Sequence, residues 1–210
     1  MSSRLMWILM ATLLLCSCRI VSEKKLAELK NPPNPHLAQA AMLFDQQIAP
    51  QIVSSAKPLA TLLGQIEGAK DFDTACQQLG YRSQDENPCV FNTTVSGTVS
   101  EVNTESRNGQ IVLKSDDPKV GEVKVQIGPT FRGTELRDSY RGLSYSDFND
   151  QNMFGDFGKA INQRAIASLG KPSFKVGDKL TIYGVFSAFD TPQPPILLTP
   201  AKITADKATQ

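Results

Sequence analysis

Reactive side chains are few in this chain and poorly grouped for catalysis. His36 is the only histidine, and it stands beside the proline-rich stretch Asn31-Pro32-Pro33-Asn34-Pro35. Ser-His-Asp and Cys-His nucleophiles need a histidine to take the proton, and most zinc sites need one as a ligand. Cys76 and Cys89 lack the spacing of a redox Cys-x-x-Cys pair. No phosphate loop or dinucleotide fingerprint occurs: Gly155-Asp156-Phe157-Gly158 is too short and opens no matching unit. Asp116-Asp117 and the set Asp147, Asn149 and Asp150 offer oxygen ligands suited to calcium, but the EF-hand spacing and its closing Glu are missing. These acids read as solvated turn residues. Glu135 and Asp138 are a carboxylate pair at helical spacing, which is common on helix surfaces. Asn92-Thr93-Thr94 fits a glycosylation sequon and reads as strand. The expectation is a protein that is not an enzyme and uses neither metal nor cofactor.

One region stands out instead. Between Gly128 and Phe157 lie six of the chain's fifteen aromatic residues: Phe131, Tyr140, Tyr145, Phe148, Phe154 and Phe157. Arg132, Arg137, Asp138, Arg141, Asn149, Gln151 and Asn152 are interleaved with them. Aromatic faces beside planar hydrogen-bonding groups suit sugars or peptides. Arg132, Arg137, Asp138 and Tyr140 are the candidate contacts to a ligand or partner. A structural reading stands beside this one. The stretch is long enough to cover a barrel end, with Phe131, Phe154 and Phe157 as core. Thr134 would then cap a short helix, and Arg137 and Asp138 would pair within the loop.

The start of the chain gives the compartment. Arg4 supplies a positive charge, and the uncharged run Leu5 to Leu15 has the length of a signal-peptide core. It is too short for a span of roughly 20 apolar residues. Leu15-Cys16-Ser17-Cys18 resembles a lipobox, with an aliphatic residue three before the cysteine and a small one just before it. Cleavage before Cys18, with lipid on that cysteine, is preferred over Cys16, which would place a bulky leucine at the cleavage site. An ordinary signal peptide with incidental cysteines is the alternative. Two or three acyl chains give stable anchoring. No Asp follows Cys18, which by analogy with enterobacterial-type sorting favours the outer membrane over the inner.

Removing residues 1–17 takes away one arginine and no acid, leaving 21 basic and 21 acidic residues. That balance leaves no electrostatic footprint for nucleic acid and no polybasic grip on lipid. The expected partners are the membrane, through lipid on Cys18, and a sugar or protein of the periplasm. In an exported chain the remaining even pair, Cys76 and Cys89, reads as a disulfide.

Those residues need elements to place them. Residues 1–17 are read as signal peptide, 18–35 as lipidated terminus and tether, 36–80 as a helical segment and 89–205 as a β-barrel domain. Leu37, Ala40, Ala41, Phe44, Ile48, Ile52 and Val53 recur at helical steps from His36 to Ala56. Shorter helices are expected from Pro58 to Ile66 and from Asp73 to Leu79, the latter stopping at Gly80. From Cys89 the period becomes two, in a long strand bent at Gly97. Arg107-Asn108-Gly109 is a hairpin signal. Strands follow at Ile111 to Leu113 and Val123 to Ile127, then a helix from Phe154 to Leu169. Its expected stripe is Phe157, Ala160, Ile161 and Ile166. A Val176-Gly177-Asp178 turn leads to strands at Lys179 to Phe189 and Ile196 to Ile203, with Pro200 marking an edge or bulge. Three strands, a helix and two strands are the plan of an OB-like five-stranded barrel, here α+β with an N-terminal helical extension. A generic α+β sandwich competes with it.

Several phrases extend the reading: Gly97-Thr98-Val99, Asn103-Thr104-Glu105-Ser106-Arg107, Gln126-Ile127-Gly128-Pro129, Arg132 through Asp138, Asp147-Phe148-Asn149 and Leu198-Thr199-Pro200. From Leu43 to Ile203 the chain resembles a predicted periplasmic lipoprotein family of unknown function. The resemblance implies a periplasmic location, a lipid or signal anchor, and frequent encoding beside simple-sugar ABC transporters. It implies no enzymatic activity. The chain departs from the family's pattern at the Cys76/Cys89 pair and at Asp150-Gln151-Asn152-Met153.

Overall fold

The computed structural model describes residues 21–23, 25–26, 34–170 and 173–205. The chain divides into two units, Met1–Asn34 and Pro35–Gln210. In the first, the Leu26 amide donates to the Ser22 carbonyl at 2.8 Å, a single helical turn. The signal peptide, the lipobox and most of the tether lie outside the described residues. Among the described residues no helix is long and apolar enough to cross a membrane.

The second unit begins with helix α1 (Leu37–Leu43), which passes through a π-helical turn (Phe44–Ile48) into α2 (Ala49–Ser55). Pro50 explains the wide turn. It has no N–H to donate, and its ring collides with the carbonyl four residues back in a regular helix. Opening the turn, so that the Ala49 amide reaches the Phe44 carbonyl, relieves this. The buried stripe is Ala40, Leu43, Phe44, Ile48 and Ile52. Leu37 and Ala41, expected on the stripe, face outward. A short strand β1 (Lys57–Pro58) leads into α3 (Leu59–Glu67), where Pro58 is the cap rather than a first-turn residue. Helix α4 (Phe72–Leu79) starts at Asp71, whose carboxylate accepts from the Thr74 amide at 2.7 Å.

The barrel follows: β2 (Cys89–Asn103), β3 (Asn108–Ser115), β4 (Glu122–Pro129), β5 (Lys179–Ala188) and β6 (Ile196–Ala205). Strand order is β1-β2-β3-β4-β6-β5, and β5 returns to β2 to close five strands into a barrel. The length of β2 makes closure possible. Its first part, Cys89 to Thr98, pairs with β5, and its second, Gly97 to Asn103, pairs with β3. Gly97 belongs to both ladders. A Cβ there would stand 2.3 Å from the Lys114 carbonyl oxygen, so only glycine permits the bend. Asn108-Gly109 is not the hairpin turn. Residues 104–107 turn the chain, and Gly109 pairs with Gly128 beside a bulge at Ile127 in β4. Pro200 sits at a bulge where β6 has left β4, opposite Gly184.

Helix α5 (Glu135–Asp138), a 3₁₀ turn (Tyr145–Asp147) and α6 (Gln151–Leu169) connect β4 to β5. Helix α6 begins one turn earlier than its apolar stripe suggests, because Asp150 caps it through the Met153 amide at 2.9 Å. Its buried face is Phe157, Gly158, Ile161, Asn162 and Ala165, while Ala160 and Ile166 are half-buried.

Alternation along the strands separates two apolar clusters. Phe91, Val95, Val99, Ile111, Leu113, Val123, Val125, Ile182 and Leu198 fill the barrel, with α3 and α4 packed against them. Val90, Val185 and Ala201 belong to the other cluster, where the π-helical turn, α2, α5 and α6 contribute Phe44, Ile48, Ile52, Leu136, Phe157 and Ile161. Both clusters lie wholly within Pro35–Gln210. Cys76 in α4 is disulfide-bonded to Cys89 at the head of β2, with Cα atoms 5.8 Å apart. Both are buried in the barrel cluster.

Candidate functional site

The connection from β4 to α6 is pinned to the barrel by a chain of polar contacts. Where β4 and β6 diverge after Val125 and Leu198, the buried Gln126 amide fills the gap. Its Nε2 donates to Thr199 Oγ1 at 2.7 Å and to the Arg132 carbonyl at 3.1 Å, and its Oε1 accepts from the Arg132 amide at 2.6 Å. Thr199 Oγ1 in turn donates to Glu135 at 3.3 Å, and Ser187 Oγ donates to the other carboxylate oxygen at 3.4 Å. Asn162 of α6 donates to the Gly133 carbonyl at 2.9 Å. Burial raises the Glu135 pKa above the ordinary carboxyl value, and the Asp138 charge pushes the same way; its hydrogen bonds offset part of the rise.

Arg137 is the hub of the next layer. Its Nε donates to Asp138 at 2.8 Å, Nη1 to the Phe154 carbonyl at 3.0 Å, and Nη2 to Thr134 Oγ1 at 2.9 Å. Its guanidinium lies 3.7 Å above the Phe154 ring centroid, a stacked cation–π contact. Thr134 does not cap α5 with its side chain. Its hydroxyl donates to Asp138 Oδ2 at 2.7 Å instead. Gly158 lets α5 approach α6: a Cβ there would meet Thr134 Cγ2 at 2.8 Å and Arg137 Nη1 at 3.2 Å. The two carboxylates of α5 do not converge. Glu135 bonds to β5 and β6, and Asp138 bonds to Arg137 and Thr134.

Asp116 and Asp117 lie in the turn between β3 and β4, whereas Asp147 and Asp150 act as helix caps. Asp147 accepts from the Ser144 amide at 2.6 Å, which with the Ser144 hydroxyl holds its pKa below the ordinary value. Asn149 takes a left-handed conformation, φ 50°, ahead of the Asp150 cap. Of the six aromatics, Phe131, Phe148 and Phe157 are buried, Phe154 and Tyr140 half-buried, and Tyr145 exposed. The His36 ring lies 4.1 Å from that of Phe148.

The four candidate contacts therefore fall in three places. Arg137 and Asp138 line a groove of about 830 Å³. Arg132 belongs to a smaller recess of about 140 Å³ with Asn103, Asn108 and Gln110. The Tyr140 hydroxyl donates to Gln47 in the π-helical turn. The groove runs between residues 82–90 and the α5–α6 connection. Its walls carry Ser83, Gln84, Asn87, Ser144, Ser146 and Gln151, together with the rings of Tyr145 and Phe154. Both of its arginines are neutralised by neighbours: Arg137 by Asp138 at 2.6 Å, and Arg82 by Asp73 at 2.6 Å with Asp85 at 3.9 Å. The far wall comes from a segment whose sequence gave no functional signal. Only the α4 cap and the paired cysteines mark where it must lie.

A closed five-stranded barrel with a helix between its third and fourth strands defines an OB-fold protein. The chain is similar to the crystal structure of an OB-fold protein from Thermotoga maritima, with a TM-score of 0.62 at 15% identity. That match covers 81% of this chain and 98% of the other. An OBody bound to hen egg-white lysozyme matches 55% of this chain and 80% of its own at 16% identity, with a TM-score of 0.29, too low to carry an argument. No curated protein matches in sequence. The chain belongs to the DUF2291 family of predicted periplasmic lipoproteins, whose model matches residues 8–204.

Proposed function

We propose that the chain is a non-catalytic binding module of the periplasm, released from its signal at Ser17, held by lipid on Cys18 and sorted to the outer membrane. Its ligand is a neutral, hydroxyl-rich molecule such as a short glycan, delivered to or taken from a sugar uptake system. The observation that carries the reading is the groove. It combines amide and hydroxyl side chains with aromatic faces, and its charges are already paired. A charged ligand would have to break those pairs, whereas a polyol can satisfy the amides and stack on a ring. A protein partner is the second reading, favoured by Phe189, which is 73% exposed at the end of β5.

The test is thermal melting of residues 35–210 against a panel of monosaccharides and short glycans. Ligand at 100 times its Kd stabilises by about 2.7 kcal/mol, a shift of roughly 5–10 °C for a domain of this size. Tyr145→Ala and Gln151→Ala, both at exposed groove positions, should reduce the shift without lowering the unliganded Tm. Arg137→Ala does not serve here, because it also removes the bonds joining α5 to α6. No shift across the panel would overturn the glycan reading and favour a protein partner, to be sought by crosslinking in the intact envelope.

A further inference from the structure

A second cleft lies where the π-helical turn, α2 and the end of α6 meet β6. It measures about 520 Å³, within the range of small-molecule sites. Val53, Leu169 and Phe174, all half-buried, give it apolar surface, and the almost fully buried Phe44, Leu180 and Ala201 back it. Pro50 forces the wide turn that carries Phe44 and Asp45, so the cleft's shape is set by the backbone.

Charge at the rim narrows the occupant. Among the described residues Asp45 is the one carboxylate there, and Arg164 holds it by Nε at 2.8 and 3.0 Å and by Nη2 at 2.8 Å. Among the described residues Lys202 is the one cation lining the cleft, and it is exposed and makes no ion pair with any of them. We propose that this cleft binds a free fatty acid, its chain laid between Val53, Leu169 and Phe174 and its carboxylate at Lys202. Acyl chains attached to a lipoprotein's own cysteine carry no anionic group, so Lys202 would do nothing for them.

The test uses residues 35–210, which hold both apolar clusters, and displacement of a dansylated undecanoic acid by dodecanoate or dodecan-1-ol. Dodecanoate should displace the probe at least tenfold better than the alcohol. Lys202→Glu should weaken dodecanoate at least tenfold and leave the alcohol unchanged. Ala49→Trp should abolish both. If that variant does not fold, Ala205→Trp, at an exposed rim position, replaces it. Failure of dodecanoate to displace the probe, or indifference to the tryptophan, overturns the site. Equal affinity for acid and alcohol, unchanged in Lys202→Glu, overturns the anionic class and points to the protein's own acyl chains.

Discussion

Glu135 sits where burial opposes its charge and hydroxyl donors support it, and burial wins, since its pKa is raised. An acid with a raised folded pKa holds its proton longer in the native state than in the unfolded chain. Its contribution is therefore full below the ordinary carboxyl value and is lost as pH rises through the folded pKa. Glu135→Gln keeps the shape and an acceptor for Thr199 and Ser187 while removing the titration. The variant should match or exceed the wild-type Tm at pH 7. Wild type should gain on it as pH falls from 7 towards 4. Referring each melt to the variant at the same pH cancels Asp71 and Asp147, whose lowered pKa values act in the opposite direction. A constant difference across the range would show that the carboxyl titrates normally in the fold.

At the scale of elements, the disulfide joins α4 to the strand that belongs to both halves of the barrel. Closing a loop of 13 residues restricts the unfolded chain by about 3 kcal/mol in the chain-entropy model. Urea unfolding of wild type with and without reductant should differ by about that amount, and reductant should not affect Cys76→Ala/Cys89→Ala. An identical midpoint with reductant would show that α4 holds β2 by packing alone. This bridge was readable in advance from an even cysteine pair in an exported chain. So were the bend at Gly97 and the helix between strands, because period-two and helical patterns report directly which face is buried. The π-helical turn was not readable, although Pro50 is its cause: a proline inside an apolar stripe signals disruption without saying which kind. Asn108-Gly109 misled because glycine also serves where two strands approach closely: a Cβ at Gly109 would stand 2.4 Å from the Gly128 carbonyl oxygen. Gln126 alternates with its neighbours as an outward polar residue would. Its burial depends on Thr199, far along the chain, coming to the point where β4 and β6 part. For the same reason Arg132, Arg137 and Tyr140, close in sequence, face three different surroundings.

Residues 35–210 form one barrel wall with an apolar cluster on each side. The two clusters share β2, β5 and β6: Phe91 and Val90, Phe186 and Val185, and Leu198 and Ala201 point to opposite sides. Neither cluster can lose its order without freeing strands that the other needs, so they should melt together. Residues 35–210 are expected to unfold in one transition, with calorimetric and van't Hoff enthalpies equal. Leu113→Ala inside the barrel and Ile161→Ala in the helical layer remove fully buried side chains. Each should cost about 2–5 kcal/mol and lower that same transition as a whole. Two transitions, with Ile161→Ala moving only one, would show that the helical layer is an appendage on an independently stable barrel. The α5–α6 wall of the groove and the α2 wall of the cleft would then be able to open while the barrel stays folded. A single transition ties both sites to global stability, so that ligand bound at either one raises the same Tm by mass action.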